Sequence, residues 1–167
     1  MSDSNPYSAP KADLAVKPSG GGIEKIKHFK RFTAWGVFGL SLITYGIYTV
    51  YWLYSRTKIL NELVPDNKIA DWIPSTLILT TLVSIGAGIV SGGYVSAVSV
   101  GIANSIYLLS TLAYLVLYII LIFAFRNRMN VLSDSHAGSK FWIGGIMTFF
   151  FNAIYFQYKI NQVHDEG

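Results

Sequence analysis

The feature that most limits the fold is a long window without charge. From Trp72 to Phe125 the chain contains no Asp, Glu, Lys or Arg, so all 13 of its Lys and Arg residues lie outside this window. A helix needs roughly 20 residues to cross about 30 Å of hydrocarbon. The window therefore holds two crossings and a short connection, and we expect the second crossing to end at Phe125, where Arg126 and Arg128 follow.

Composition indicates one small membrane domain. The chain has 167 residues, of which 52% are hydrophobic and 13% are charged. We expect residues 23–167 to form a single helical membrane domain. Residues 1–22 carry Pro6, Pro10, Pro18 and a run of glycines with few apolar groups, which predicts a disordered cytoplasmic tail.

Two further apolar segments flank the window, at residues 32–54 and 141–158. If both crossed the membrane with the amino terminus inside, six basic residues would face outward, against the usual retention of Lys and Arg in cytoplasmic loops. These residues are Arg56, Lys58, Lys68, Arg126, Arg128 and Lys140. If both segments re-enter instead, every basic residue lies on one side. The expected fold is all-α, with two full transmembrane helices and two aromatic-rich re-entrant flanking segments. The alternative is a plain four-helix transmembrane bundle.

A re-entrant segment needs a break near its middle, and Thr44, Tyr45 and Gly46 supply one in the first flanking segment. The limbs on either side have roughly 11 residues, or about 16 Å each. An internal echo suggests that the second flanking segment is similar. Four aromatic or aliphatic residues recur at one constant offset: Trp35, Ile47, Tyr48 and Tyr51 correspond to Trp142, Ile154, Tyr155 and Tyr158. Such an echo is typical of a duplicated hairpin unit.

The residues around this break also carry a resemblance to a known family. Six of them form a Thr-x-Gly-Ile-Tyr-x-x-Tyr-Trp pattern: Thr44, Gly46, Ile47, Tyr48, Tyr51 and Trp52. This pattern resembles the hallmark of an uncharacterised bacterial membrane-protein family, a domain of unknown function. The resemblance implies a location in the bacterial inner membrane, and it implies no activity.

Small residues mark a possible helix contact. Ser84, Gly88 and Gly92 stand four residues apart on one face of the first crossing, and Gly101 and Ser105 offer a matching start to the second. Small residues at this spacing let helix backbones approach closely in lipid. The pattern is compatible with an oligomer interface and with packing of the two crossings on each other.

Two other patterns carry expectations. Apolar Ile23, Ile26 and Phe29 recur at three-residue spacing among basic residues, which is compatible with a helix on an anionic membrane surface or with a charged flank. Asn104 and Asn152 are the most polar side chains expected at membrane depth. An amide in hydrocarbon needs a hydrogen-bond partner.

The sequence offers no chemical site. Cysteine is absent, the three His residues are scattered, and no nucleophile or paired carboxylates can be named. We therefore expect no catalytic residue, metal or cofactor, and no nucleic-acid partner, because the basic residues flank apolar segments. The expected function is a non-enzymatic platform, with both termini cytoplasmic, for self-association or for another membrane protein. The alternative is an oligomeric passive channel or a lipid-handling protein.

Overall fold

The computed structural model describes residues 21–93 and 97–167, and all regular structure in these residues is helical. The predicted tail lies outside them, except for its last two residues. These residues contain six α-helices, with one short 3₁₀ turn at Pro65–Asn67 after the third. They are α1 (Gly21–Ile26), α2 (Ala34–Ile43), α3 (Ile47–Leu63), α4 (Trp72–Gly92), α5 (Ala97–Leu132) and α6 (Gly145–Glu166).

Helices α4 and α5 pack against each other as an antiparallel pair, and both are long and apolar enough to cross a membrane. The all-α prediction with two such helices is confirmed. Little of either apolar window is buried, unlike the core helix of a soluble protein. The buried residues of α4, Pro74 and Leu77, both lie in its first two turns.

The predicted end of the second crossing at Phe125 is not the end of the helix. Helix α5 continues to Leu132, and its 36 residues extend about 54 Å, well beyond the hydrocarbon thickness. Charged residues such as Arg126 terminate an apolar window, but Arg is a good helix former. The last two turns of α5 therefore pack within the protein as an ordinary soluble helix does.

The first flanking segment folds as two helices joined by a tight turn. Helix α2 ends at Ile43, α3 begins at Ile47, and the two pack together. The intervening Tyr45 and Gly46 have φ angles of 49° and 86°. A right-handed α-helix requires a negative φ, so these residues interrupt it. Helix α3 then runs to Leu63, past the predicted boundary at residue 54. The break is thus where the sequence predicts it.

The second flanking segment also reverses. Helix α6 begins at Gly145 and ends at Glu166, later at both ends than predicted, and Asn152 within it has a non-helical φ of 28°. Contacts between the two ends show the reversal: Gly144 N donates to the Tyr155 hydroxyl at 3.3 Å, and Lys140 forms an ion pair with Glu166 at 2.8 Å. A straight helix of this length would separate its ends by about 30 Å.

The core lies at one end of the α4–α5 pair. Phe125 is fully buried there, and rings of Phe29, Trp52 and Phe156 lie 4.9–6.3 Å from its ring. Ile26 is also buried in this cluster. The expectation that Ile26 and Phe29 face a membrane surface is therefore wrong: they pack inside the protein, where α1 covers the end of α5.

The same end holds all the basic side chains of the described residues. We define the basal layer as residues 24–31, 56–71, 126–143 and 159–167. Hydrogen bonds join these segments: Arg56 donates to the Lys30 carbonyl, and Arg128 donates to the Asn67 carbonyl. Ion pairs join Arg31 to Asp165 and Lys140 to Glu166. The end of α4 at Gly92 and the start of α5 at Ala97 lie at the opposite end.

Candidate functional site

The turn of the Thr-x-Gly pattern closes on its own hydrogen bonds. Thr44 Oγ1 donates to the Leu40 carbonyl at 2.7 Å and accepts from Tyr48 N at 2.9 Å. Gly46 N donates to the Ser41 carbonyl at 2.7 Å. One hydroxyl thus serves the end of α2 and the start of α3, where backbone groups lack helical partners. The left-handed φ of Gly46 gives the reason for glycine there.

The remaining pattern residues lie along α3. Trp52 is buried in the core, and its Nε1 donates to Gln157 Oε1 on α6 at 3.1 Å. Tyr48 and Tyr51 lie side by side with ring centroids 6.1 Å apart, and Ile47 is about half exposed. The pattern therefore combines one turn with one anchor that attaches α3 to α6.

A second turn occupies the equivalent place in α6. Asn152 stands at the same constant offset from Tyr45 that relates the echoed residues, and both have a positive φ. Asn152 Oδ1 accepts from the Ala153 N–H at 2.7 Å, so the predicted partner of this amide is its own backbone neighbour. Ala153, the counterpart of Gly46, is fully buried. Asn104, by contrast, is exposed on α5.

An open cavity of about 430 Å³, which we call the apical cleft, brings the two groups of predicted residues together. It lies between the first turn and the α4–α5 pair. Gly46 and Ile47 line it from the turn, and Ser84 and Gly88 line it from α4. The α5 wall is Tyr107, Thr111 and Tyr114.

The predicted small-residue contacts divide into two sets. Ser84 hydrogen-bonds to Ser110 of α5 at 2.8 Å, and a Cβ added at Gly88 would lie 4.0 Å from the Tyr107 ring. A Cβ added at Gly92 or Gly101 would meet no atom of residues 21–93 or 97–167 within 4 Å. Ser105 is exposed and donates to the carbonyl of Gly101 in its own helix. Ser84 and Gly88 are therefore the members of the stripe that pack α4 on α5 in this part of the chain.

On another face of the α4–α5 pair lies a further open cavity of about 430 Å³, the outer groove. Small residues line much of it, and no residue of α2, α3 or α6 contributes to it. Its lining is Val83, Gly86, Ala87 and Val90 on α4 and Ser99, Ile102, Ala103 and Ile106 on α5. A helix packed there would approach both backbones closely.

A third cavity, about 700 Å³, is the lateral groove between α2 and α6. Aromatic and aliphatic side chains from both halves of α6 and from the start of α2 line it. They are Ala34, Trp35, Phe38, Met147, Phe151, Ile154, Tyr155 and Tyr158. Four echoed residues, Trp35, Ile154, Tyr155 and Tyr158, therefore meet in one groove.

The basal layer holds a buried cation. Arg56 is 9% exposed, its Nη2 donates to the Lys30 carbonyl at 3.1 Å, and its Cζ lies 5.7 Å from the centre of the Trp52 ring. Burial lowers the pKa of this guanidinium, and neighbouring Tyr48 acts in the opposite direction. An Arg pKa starts so high that the group stays charged at neutral pH. Arg56 thus supplies a cation at the foot of α3.

Amide side chains in the basal layer are the residues that the sequence reading missed. Asn61 Nδ2 donates to the Ile69 carbonyl at 2.7 Å, and Asn61 Oδ1 accepts from Ile69 N at 2.8 Å. Asn130 makes the same two hydrogen bonds to the backbone of Ile143, at 3.1 and 2.8 Å. Gln157 is fully buried and joins Trp52 to Asn161. The sequence signal that could have revealed them is the spacing of Gln157 and Asn161, which stand four residues apart and so share one face of a helix.

The described residues hold no group of three or more His, Asp or Glu side chains that could bind a metal. Glu166 has its pKa lowered, chiefly by its hydrogen bond to Lys140. Their contact is therefore present at neutral pH and is lost as pH falls through that lowered pKa. These charges hold the end of α6 against the loop before it.

The fold and its cavities define an all-helical protein with two helices able to span a membrane and two helical hairpins at their base. The chain belongs to the family described as a domain of unknown function, DUF4234, whose model matches residues 32–131. That match covers the Thr-x-Gly turn, both long helices and the apical cleft, and it ends before α6. No curated protein and no solved structure matches the chain.

Proposed function

We propose that this protein is a non-catalytic platform in the bacterial inner membrane that associates with a second copy of itself. Helices α4 and α5 cross the bilayer, and both termini are cytoplasmic. The distribution of charge supports this orientation, because every Lys and Arg of the described residues belongs to the basal layer and such residues are retained in the cytoplasm. The membrane-facing surfaces that do not contact the second copy bind lipid, and the protein needs no cofactor.

The flanking segments re-enter from the cytoplasmic side. Helix α2 has 10 residues, about 15 Å, which is half the hydrocarbon thickness. A turn inside the bilayer must satisfy its own backbone groups. The bonds of Thr44 do this without a cover, since Tyr45 is 97% exposed and Gly46 has open space around it.

The observation that carries self-association is the outer groove. It combines an open cavity, close access to two helix backbones at Gly86, Ala87 and Ala103, and a position away from both hairpins. In lipid, such surfaces associate through packing and not through hydrophobic exclusion from water. A two-fold dimer uses one self-complementary patch on each copy, so two outer grooves facing each other give a closed four-helix contact.

Crosslinking between single cysteines tests this contact, because the native chain has no thiol. We expect Ala87→Cys, in the groove, to form disulfide-linked dimers in native membranes. Ile89→Cys is the matched control, since it is 71% exposed at the same depth and lines none of the three grooves. Gly86→Leu in the Ala87→Cys background should abolish the dimer by filling the groove. Equal crosslinking at residues 87 and 89 would contradict the proposal.

A second candidate function, an oligomeric passive channel or a lipid-handling role, is favoured by the apical cleft. Six hydroxyl-bearing residues line it at the depth of the hairpin turns: Tyr45, Thr81, Ser84, Tyr107, Thr111 and Tyr114. Flux of a small solute, or lipid scrambling, in liposomes would be lost in Gly88→Leu, which fills the cleft. Gly39→Leu is the control, because Gly39 has open space but lies outside the cleft. Liposomes in which the native chain supports neither process would exclude this function.

A further inference from the structure

We propose that the lateral groove binds one acyl chain of an anionic phospholipid from the cytoplasmic leaflet, with the phosphate at the basal end of the groove. This inference is independent of the self-association surface, since the lateral and outer grooves share no residue. It assigns a ligand to the face formed by the two hairpins.

The groove has the lining that a hydrocarbon chain requires. Six of its eight lining side chains carry no hydroxyl, and Phe38, Met147 and Phe151 line its upper part. Flexible Met adapts well to an irregular apolar ligand. The walls are α2 and the two antiparallel halves of α6, which run from the basal layer toward the turns. A chain lying along them therefore points into the bilayer, as lipid chains do.

The basal end of the groove is amphipathic. Trp35 is 79% exposed and Tyr158 is 54% exposed, and within the described residues neither the indole N–H nor the phenol hydroxyl has a hydrogen-bond partner in the protein. Such side chains are typical of the interface between headgroups and hydrocarbon. They lie at the level where a phosphate or glycerol oxygen of a bound lipid would accept a hydrogen bond.

Three basic residues lie near this end. The Lys30 carbonyl accepts from Gln157 Nε2, one residue before Tyr158. Arg31 precedes Ala34 by three residues, and Lys159 follows Tyr158 directly. The described residues contain three ion pairs, and Lys30 and Lys159 take part in none of them. Lys159 Nζ instead donates to the Lys140 carbonyl at 2.9 Å and to Gln162. Basic pockets beside membrane helices on the cytoplasmic side recognise anionic headgroups in this way.

Charge complementarity therefore selects the occupant. A second protein helix would also cover apolar side chains, but it would leave the surplus of positive charge at the basal end unmatched. A zwitterionic lipid would match it in part only, since its own ammonium group opposes Lys30 and Lys159. An anionic phospholipid matches all three features. Its acyl chain fills the apolar groove, and its phosphate accepts from the interfacial donors and lies beside the cations.

Photolabelling of the full chain in vesicles tests the assignment. The probe is phosphatidylglycerol with a diazirine on one acyl chain, and the adducts are mapped by mass spectrometry. We expect labelling of residues 34–38 and 147–158 to exceed several-fold that of exposed α5 residues outside all three cavities, which are Leu108, Leu109, Leu112, Leu115 and Val116. Ala34→Trp, which fills the groove, should lower the groove labelling several-fold. Ala113→Trp, on an exposed face of α5, should leave it unchanged.

Two further arms identify the headgroup contribution. A phosphatidylcholine probe with the same diazirine should label the groove several-fold less, and Lys30→Gln with Lys159→Gln should reduce phosphatidylglycerol labelling to that level. Equal labelling by both probes, or labelling of all exposed helices in proportion to exposure, would overturn the proposal. The Ala87→Cys crosslink, measured in the Ala34→Trp background, reports separately on self-association.

Discussion

At the scale of single residues, Thr44 explains the Thr-x-Gly pattern. Its hydroxyl donates to one helix and accepts from the next, so that each backbone N–H of residues 44–48 has an acceptor. A buried or lipid-facing group that loses its partner costs about 1–3 kcal/mol. Threonine at this position therefore has a structural role in the turn.

Replacements of Thr44 should separate the contribution of its hydroxyl to stability from the contribution of its side-chain shape. We expect Thr44→Val to lower the free energy of unfolding by about 1–3 kcal/mol, because Tyr48 N loses its acceptor. Thr44→Ser retains the hydroxyl and should cost less. Denaturation in mixed micelles, followed by circular dichroism, measures both. A valine variant as stable as the serine variant would show that the hydroxyl contributes nothing.

The two glycines of this hairpin should respond oppositely to alanine. A Cβ meets nothing within 4 Å at either Gly39 or Gly46, but only Gly46 has a positive φ. Gly46→Ala should cost about 1–2 kcal/mol of unfolding free energy for left-handed backbone. Gly39→Ala, inside α2, should add about 0.4–1 kcal/mol. The same denaturation assay compares them, and equal shifts would contradict the assigned turn.

At the scale of elements, the sequence predicted where the chain breaks but not where the helices end. The break at Gly46 follows from the residue types themselves, and the long apolar helices follow from the absence of charge. The extension of α5 to Leu132 could not be predicted, because it depends on tertiary burial of Phe125 and Met129. The reversal at Asn152 was only suggested by the echo, since no glycine marks it.

The contact between α3 and α6 includes one buried hydrogen bond beside the stacked rings of Trp52 and Phe156. Trp52→Phe and Gln157→Leu each remove it, so a double-mutant cycle should give a coupling energy of about 0.5–1.5 kcal/mol. Tyr114→Phe with Gln157→Leu is the control, because Tyr114 lies at the apical cleft. These two changes should be additive. Additivity of the Trp52 and Gln157 changes would mean that the bond adds no stability.

At the scale of the whole molecule, the fold has a packed hydrophobic core at one end of the α4–α5 pair. The core and the cations share the basal layer, while the far halves of α4 and α5 expose apolar side chains. The candidate grooves could be predicted only in part. Ser84, Gly88 and Gly46 were recognised individually, but their meeting in one cleft depends on how the hairpin packs on α4 and α5. The lateral groove required the reversal of α6, which spacing alone does not specify.

The most direct test of this account is the sidedness of three single cysteines in the otherwise cysteine-free chain. Ala70 and Ala137 are exposed in the basal layer, and Gly93 is exposed at the opposite end, after α4. With a membrane-impermeant maleimide on intact cells, we predict labelling at Gly93→Cys alone. Ala70→Cys and Ala137→Cys should react only after the cells are opened. Labelling of either from outside would place basic loops on both sides of the membrane, as in a four-helix bundle, and would contradict the re-entrant fold.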